Sequence, residues 1–158
     1  MNKHLKFFFG IVSVSPVLFL VSLAISFALY VKFPYPLVTP EAVGSALMVL
    51  GIVLILGGTA LAFAAQRVSR VVTNPKYKAT CPDLMQGPYA YSRHPGSLSL
   101  IMMYVGFALV ANSLIMVIVA GLIVLLLTLV FVPMEEKIIS ALCPEAYAEY
   151  KQRVRMWL

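Results

Sequence analysis

"GSLSLIMMYVGFALVANSLIMVIVAGLIVLLLTLVFVPM", residues 96–134, runs for 39 positions without a charged side chain. As one straight helix rising ~1.5 Å per residue it would be about 58 Å long, nearly twice the ~30 Å of hydrocarbon in a bilayer. Two antiparallel passes fit far better. Asn112-Ser113 is the polar pair near the middle, and polar turn formers belong where a chain reverses. The spacing therefore predicts a helical hairpin with legs at 97–111 and 114–131.

Two further apolar stretches lie upstream, at about 7–31 and 43–65. Each is as long as the ~20 residues a crossing helix needs. The whole chain is 61% hydrophobic and 11% charged, against roughly a quarter charged in a soluble domain. A bilayer is thus the expected solvent. The basic start "MNKHLK" followed by apolar residues is reminiscent of a secretory leader, but the apolar core is too long. No small-residue cleavage pattern precedes "KFPYP" either, so a retained helix is expected. Four spans result, and the charges test that number. With the N-terminus inside, Lys3, Lys6, Arg67, Arg70, Lys76, Lys78, Arg93, Lys137, Lys151, Arg153 and Arg155 are cytosolic and only Lys32 is outside. That asymmetry is what the positive-inside rule requires. The expectation is an all-α, multi-pass integral membrane protein forming a single domain over 1–158, with both termini cytosolic. The membrane would be the plasma membrane in a prokaryote and the endoplasmic reticulum in a eukaryote.

Two polar pieces remain, both cytosolic. Residues 66–95 carry Pro75, Pro82, Pro88 and Pro95, which exclude a continuous helix. A connection of this length is usually functional or disordered. Its aromatic and apolar residues, among them Val71, Tyr77, Leu84, Tyr89 and Tyr91, argue for order. The tail, 135–158, has Pro144 and Glu145 placed to open a helix. Tyr147, Tyr150, Val154 and Trp157 then fall on one helical face. Glu149 and Arg153 are spaced to pair at i, i+4. Tyr, Trp, Lys and Arg together suit a helix at headgroup level. Cys81 and Cys143 show no metal-ligand spacing and outline no disulfide framework.

The hairpin begins at Arg93-His94 and ends at Glu135-Glu136. Antiparallel legs bring these pairs together at the cytosolic rim, where opposite charges pair and the carboxylates stay ionised. Taken singly, Arg93 and the two glutamates read as interfacial anchors. His94 alone reads as satisfying a loop carbonyl, and the tail's aromatic stripe as an anchor on the membrane surface. Met102, Met103 and Tyr104 read as helix packing or lipid contact. Together, a long proline-punctuated loop and two polar pairs closing one hairpin outline a covered, half-lipidic pocket.

"GPYAYSRHP", the apolar hairpin, the "EE" pair and "EAYAEYKQRV" resemble the isoprenylcysteine carboxyl methyltransferase family and, more loosely, the phospholipid N-methyltransferases. The resemblance covers roughly residues 66–155. It implies S-adenosylmethionine as cofactor, bound on the cytosolic side. By position it assigns cofactor contacts to Asn74, Cys81, Pro82, Asp83, Leu84, Tyr89, His94, Pro95, Gly96, Ser97 and Glu135. Arg93 and Glu136 are the candidate catalytic residues, and Glu136 or Tyr89 the candidate bases for an amine or hydroxyl acceptor. A carboxylate such as Glu135 accepts bonds from ribose hydroxyls or an ammonium and complements a sulfonium charge. The partners implied are a lipophilic or small-molecule methyl acceptor and membrane lipid, with no nucleic acid and no metal.

Two positions depart from the family pattern. Ser97 stands where the family has a tyrosine, which removes an aromatic wall. Phe131 stands where the prenylcysteine enzymes have an arginine that meets the substrate carboxylate, which argues against that acceptor. These departures suit a second function, a non-catalytic membrane scaffold or binding module of the same fold. A third is a nicotinamide-dependent membrane reductase, since some integral-membrane sterol reductases share a similar hairpin.

Overall fold

The computed structural model describes residues 3–38, 41–72 and 85–157, and within these it is helical. In chain order the helices are α1 (Lys3–Lys32), α2 (Glu41–Val72), α3 (Pro95–Val110), α4 (Leu114–Leu126), α5 (Val132–Leu142) and α6 (Pro144–Arg153). A 3₁₀ turn spans Gly87–Ala90 and a π-helical turn spans Leu127–Phe131. Two helical stretches, Val43–Val68 and Leu114–Ala141, are long and apolar enough to cross a bilayer. Val17–Lys32 and Pro95–Val110 are shorter apolar helices.

The hairpin reverses at Asn112, whose φ of 44° lies in the left-handed region that Asn tolerates better than most residues. Ser113 then caps α4, its hydroxyl accepting from Met116 N at 3.3 Å. The turn is also tied to the α1–α2 connection. Val38 N donates to Asn112 Oδ1 at 3.1 Å, and Asn112 Nδ2 donates to Val38 O at 2.8 Å. Leu37 N reaches Asn112 O, Leu114 N reaches Tyr35 O, and Pro36 and Ser113 form an antiparallel bridge. Asn112→Ala removes both side-chain bonds and puts a poor left-handed residue at the turn. It is expected to lower stability by about 2 kcal/mol, measured as the thermal midpoint of the detergent-solubilised protein.

Helices α2 and α3 meet through glycine. A Cβ on Gly51 would lie 2.7 Å from Gly106 O, and one on Gly106 would lie 2.7 Å from Gly51 O. Backbone thus touches backbone, the close approach that small residues permit between apolar helices. Two turns onward, Gly58 faces Ser99 O and Met103 in the same way. On the other side of α3, the ring of Tyr104 packs edge-on against Phe19 of α1, centroids 5.7 Å apart. Its hydroxyl donates to Ser22 O at 3.0 Å and also meets the Ser26 hydroxyl. The interior therefore holds small, hydroxyl-bearing and aromatic residues, while Leu20, Leu56, Phe63, Leu122, Leu125 and Leu129 face outward.

Two boundaries differ from the sequence expectation. Helix α2 continues through Val72, into the stretch expected to be loop, because residues 66–72 contain neither proline nor glycine. The second leg does not stop near 131 but runs on through both glutamates to Leu142. Its π turn lies where Pro133 has no N–H for the carbonyl four residues back and its ring crowds that carbonyl. Val132 N reaches instead to Leu127 O. The break comes at Cys143 (φ −140°, ψ 71°), directly before Pro144, because proline disfavours helical backbone in the residue ahead of it.

Candidate functional site

The hairpin doubles back as expected, so Arg93 and His94 at the head of α3 meet Glu135 and Glu136 on α5. His94 occupies the N-cap of α3, with Pro95 preset for the first helical position. Its ring stands between the two carboxylates, Nδ1 3.0 Å from Glu135 Oε2 and Nε2 3.3 Å from Glu136 Oε1. A doubly protonated imidazole donates to both, whereas a neutral one donates to a single carboxylate. Adjacent helical residues point about 100° apart, so a ring held by both glutamates fixes the rotation of α5 against α3.

Glu136 is the hub. Arg93 Nη1 donates to its Oε1 at 2.6 Å and Lys151 Nζ to its Oε2 at 2.7 Å, in addition to the His94 contact. Its side chain is 11% exposed and that of His94 1%, whereas Glu135 is 27% exposed. Among the described residues the second oxygen of Glu135 carries no hydrogen bond. The two carboxylates, equivalent in sequence, are thus distinct in space: one saturated by cations, the other half open.

The tail covers this cluster. Arg93 N donates to Arg155 O at 3.1 Å and the Ser92 hydroxyl to Met156 O at 3.2 Å. Tyr150 reaches back with its hydroxyl to Tyr89 O at 2.7 Å and, more weakly, to Ser92 O at 3.5 Å. The Trp157 ring meets His94 edge-on at 6.3 Å. Tyr147, Tyr150 and Val154 form a buried cluster against Ile139, so the aromatic stripe expected at the membrane surface is instead packing for the cover. Burial pushes the phenols of Tyr147 and Tyr150 well above their usual range, with the Glu136 charge adding to the effect on Tyr147. Both remain neutral donors. Arg93 Nε and the Tyr147 hydroxyl are buried with no hydrogen-bond partner among the described residues.

Of the residues singled out from sequence, Arg93, His94, Glu135 and Glu136 form one connected cluster. Pro95, Gly96 and Ser97 make the first turn of α3 beside it, and Tyr89 contributes its carbonyl through the 3₁₀ turn. Asn74, Cys81, Pro82, Asp83 and Leu84 lie outside the described residues. Phe131 sits in the π turn, one helical turn before the glutamates. Sequence reasoning did not single out Ser92, Tyr150 or Lys151. Lys151 was legible only as off the apolar stripe, and Tyr150 only as part of it. The expected Glu149–Arg153 pair is present at 2.6 Å, exposed on the outer face of α6.

A family model described as "Protein of unknown function (DUF1295)" matches residues 1–154. No curated protein and no solved structure matches the chain.

Proposed function

The chain belongs to this DUF1295 family, whose description assigns no activity, and from the residues gathered at the site we propose that it is an integral-membrane methyltransferase. It would use S-adenosylmethionine at the cytosolic interface on a lipophilic or small apolar acceptor. The topology in this reading has four crossings, with the hairpin as the last two and both termini cytosolic. The outward-facing leucines and phenylalanine and the inward serines support an apolar solvent around the bundle. The placement of eleven of the twelve basic residues supports the orientation.

The observation that carries the catalytic reading is the asymmetry of the two glutamates. Glu135 is the open member of a buried charged cluster, with an oxygen available to a ribose hydroxyl or an ammonium and its orientation held by His94. Arg93 offers a guanidinium whose Nε has no hydrogen-bond partner among the described residues. A carboxylate acceptor beside a cationic donor is a set that fits the zwitterionic, positively charged cofactor. When bound, S-adenosylmethionine supplies an electrophilic methyl group on a sulfonium. The residues of this chain would bind it through Glu135 and His94, keep water out with the tail and keep the field fixed through Arg93 and Glu136. Glu136, saturated by three donors, suits a fixed anion better than a base. Phe131, in place of an arginine, leaves no second guanidinium for a prenylcysteine carboxylate, which favours another acceptor.

Thermal shift or calorimetry of the detergent-solubilised protein tests this reading. Cofactor at a hundred times its Kd stabilises a binding-competent protein by about 2.7 kcal/mol. Glu135→Gln is expected to weaken that binding about tenfold, the loss of a charged hydrogen-bond partner, while shifting the ligand-free midpoint little. The absence of any stabilisation at saturating S-adenosylmethionine would leave the scaffold reading. Stabilisation by a nicotinamide dinucleotide alone would replace the proposal with a reductase. Transfer of labelled methyl into a native lipid extract then identifies the acceptor.

A further inference from the structure

The cluster that serves as the best candidate site is closed. Arg93, His94 and Glu136 are almost wholly buried, so a ligand reaches them only if some covering element moves. Among the described residues that element is the tail, and we infer that α6 and the residues to Trp157 form a strap that opens to admit ligand to the cluster. The inference rests on the cluster being a ligand site but not on which cofactor it takes.

Three independent features set this segment apart from the rest of the bundle. First, it joins α5 through a single non-helical residue, Cys143, followed by Pro144; Cys143 is disulfide-bonded, against the sequence expectation, so the joint is a pivot anchored at its sulfur about which α6 turns. A break of one residue between two helices is where backbone rotation concentrates, since hinges are the ends of elements. Second, among the described residues its attachments are few and mostly polar: Tyr150 to the carbonyls of residues 89 and 92, Lys151 to Glu136, Ser92 and the amide of Arg93 to the carbonyls of residues 156 and 155, and the Trp157 ring edge-on to His94. The apolar part is the small group Tyr147, Tyr150, Val154 and Ile139, separate from the core around Tyr104. Segments with few buried apolar contacts open at lower free energy than the core does. Third, closure leaves Arg93 Nε buried with no hydrogen-bond partner among the described residues. Unsatisfied buried donors are costly, so the closed state carries a penalty that opening relieves. The same residues that shut the site therefore bias it toward release.

Chemical modification of His94 reads the strap directly, because its imidazole is 1% exposed when the strap is down. The full-length protein in detergent is treated with diethyl pyrocarbonate, and modification of the peptide containing residue 94 is followed by mass spectrometry. In the unaltered chain the rate is expected to be at least tenfold below that of the same peptide in denatured protein, following the fraction of time the strap is open. Tyr150→Phe, which removes the hydroxyl tether, is expected to raise it about fivefold. Lys151→Ala, which removes a half-exposed tether, is expected to raise it about twofold. Amide exchange over residues 98–110 should not change in either variant. Labelling of the unaltered chain at the denatured rate would overturn the inference, as would unchanged rates in both variants. So would faster labelling accompanied by faster exchange in α3, because the opening would then be global. Should Tyr150→Phe lower the thermal midpoint of the whole bundle, Lys151→Ala decides alone by the same criteria. Added S-adenosylmethionine is expected to slow the labelling. If it does not, while the variants still accelerate it, the cofactor assignment fails and the strap stands.

Discussion

Leucine at Gly106 is expected to prevent α2 and α3 from packing and to destabilise the protein by about 3 kcal/mol or more. Overpacking that a side chain can absorb by rotating costs about 1–3 kcal/mol. Here the atom in the way is a backbone carbonyl, Gly51 O, at 2.7 Å from the first carbon of any side chain placed at 106. A carbonyl within a helix cannot rotate away, so the helices must separate, and the contacts of Gly58 with α3 would loosen with them. Gly121→Leu is the matched control. It adds the same side chain to an apolar helix at a position where a Cβ meets nothing within 4 Å, and its midpoint should stay close to that of the unaltered chain. Thermal unfolding of both variants in the same detergent provides the comparison. Equal midpoints would mean that the glycine contact does not hold the bundle together.

The second large effect is expected at Glu136. Glu136→Leu leaves the Arg93 guanidinium buried beside His94 without the one anion that pairs with it among the described residues. Removing one partner of a buried ion pair typically costs about 3–5 kcal/mol. Lys151 contributes little to that cost, because its side chain is 53% exposed and returns to water. Arg93→Met combined with Glu136→Leu removes both charges and should recover much of the loss, since a buried pair replaced by apolar residues of similar volume is often close to neutral. Glu136→Gln should fall between, keeping the shape and one acceptor. A double variant as unstable as the single one would show that the site is held by something other than charge pairing. Glu135→Gln, by contrast, should leave the midpoint nearly unchanged, because Glu135 is the more exposed carboxylate and has a single partner among the described residues.

Much of the helical layout was legible because its causes are local. The absence of charge over 96–134 and the polar Asn112-Ser113 pair demanded a reversal, and the reversal alone places Arg93-His94 beside Glu135-Glu136. Pro144 stopped one helix and opened the next for reasons contained in its own ring. Two helix ends do not fall where the polarity of the sequence changes. Arg67 and Arg70 continue α2 and Glu135 continues the second hairpin leg, since hydrogen bonding along a helix is indifferent to whether its surface faces lipid or water.

What the amino-acid order determined by itself is the set of helices and the meeting of the basic pair with the acidic pair, because apolar run length, turn chemistry and proline act over a few residues. The tertiary structure alone decided which glutamate is enclosed and which is open, and that Tyr150, Lys151 and the last residues lie over the cluster. Those outcomes depend on the rotation of α5 about its axis and on the angle at Cys143. Neither is encoded in any short stretch, and both are set by hydrogen bonds between residues 15 to 64 positions apart.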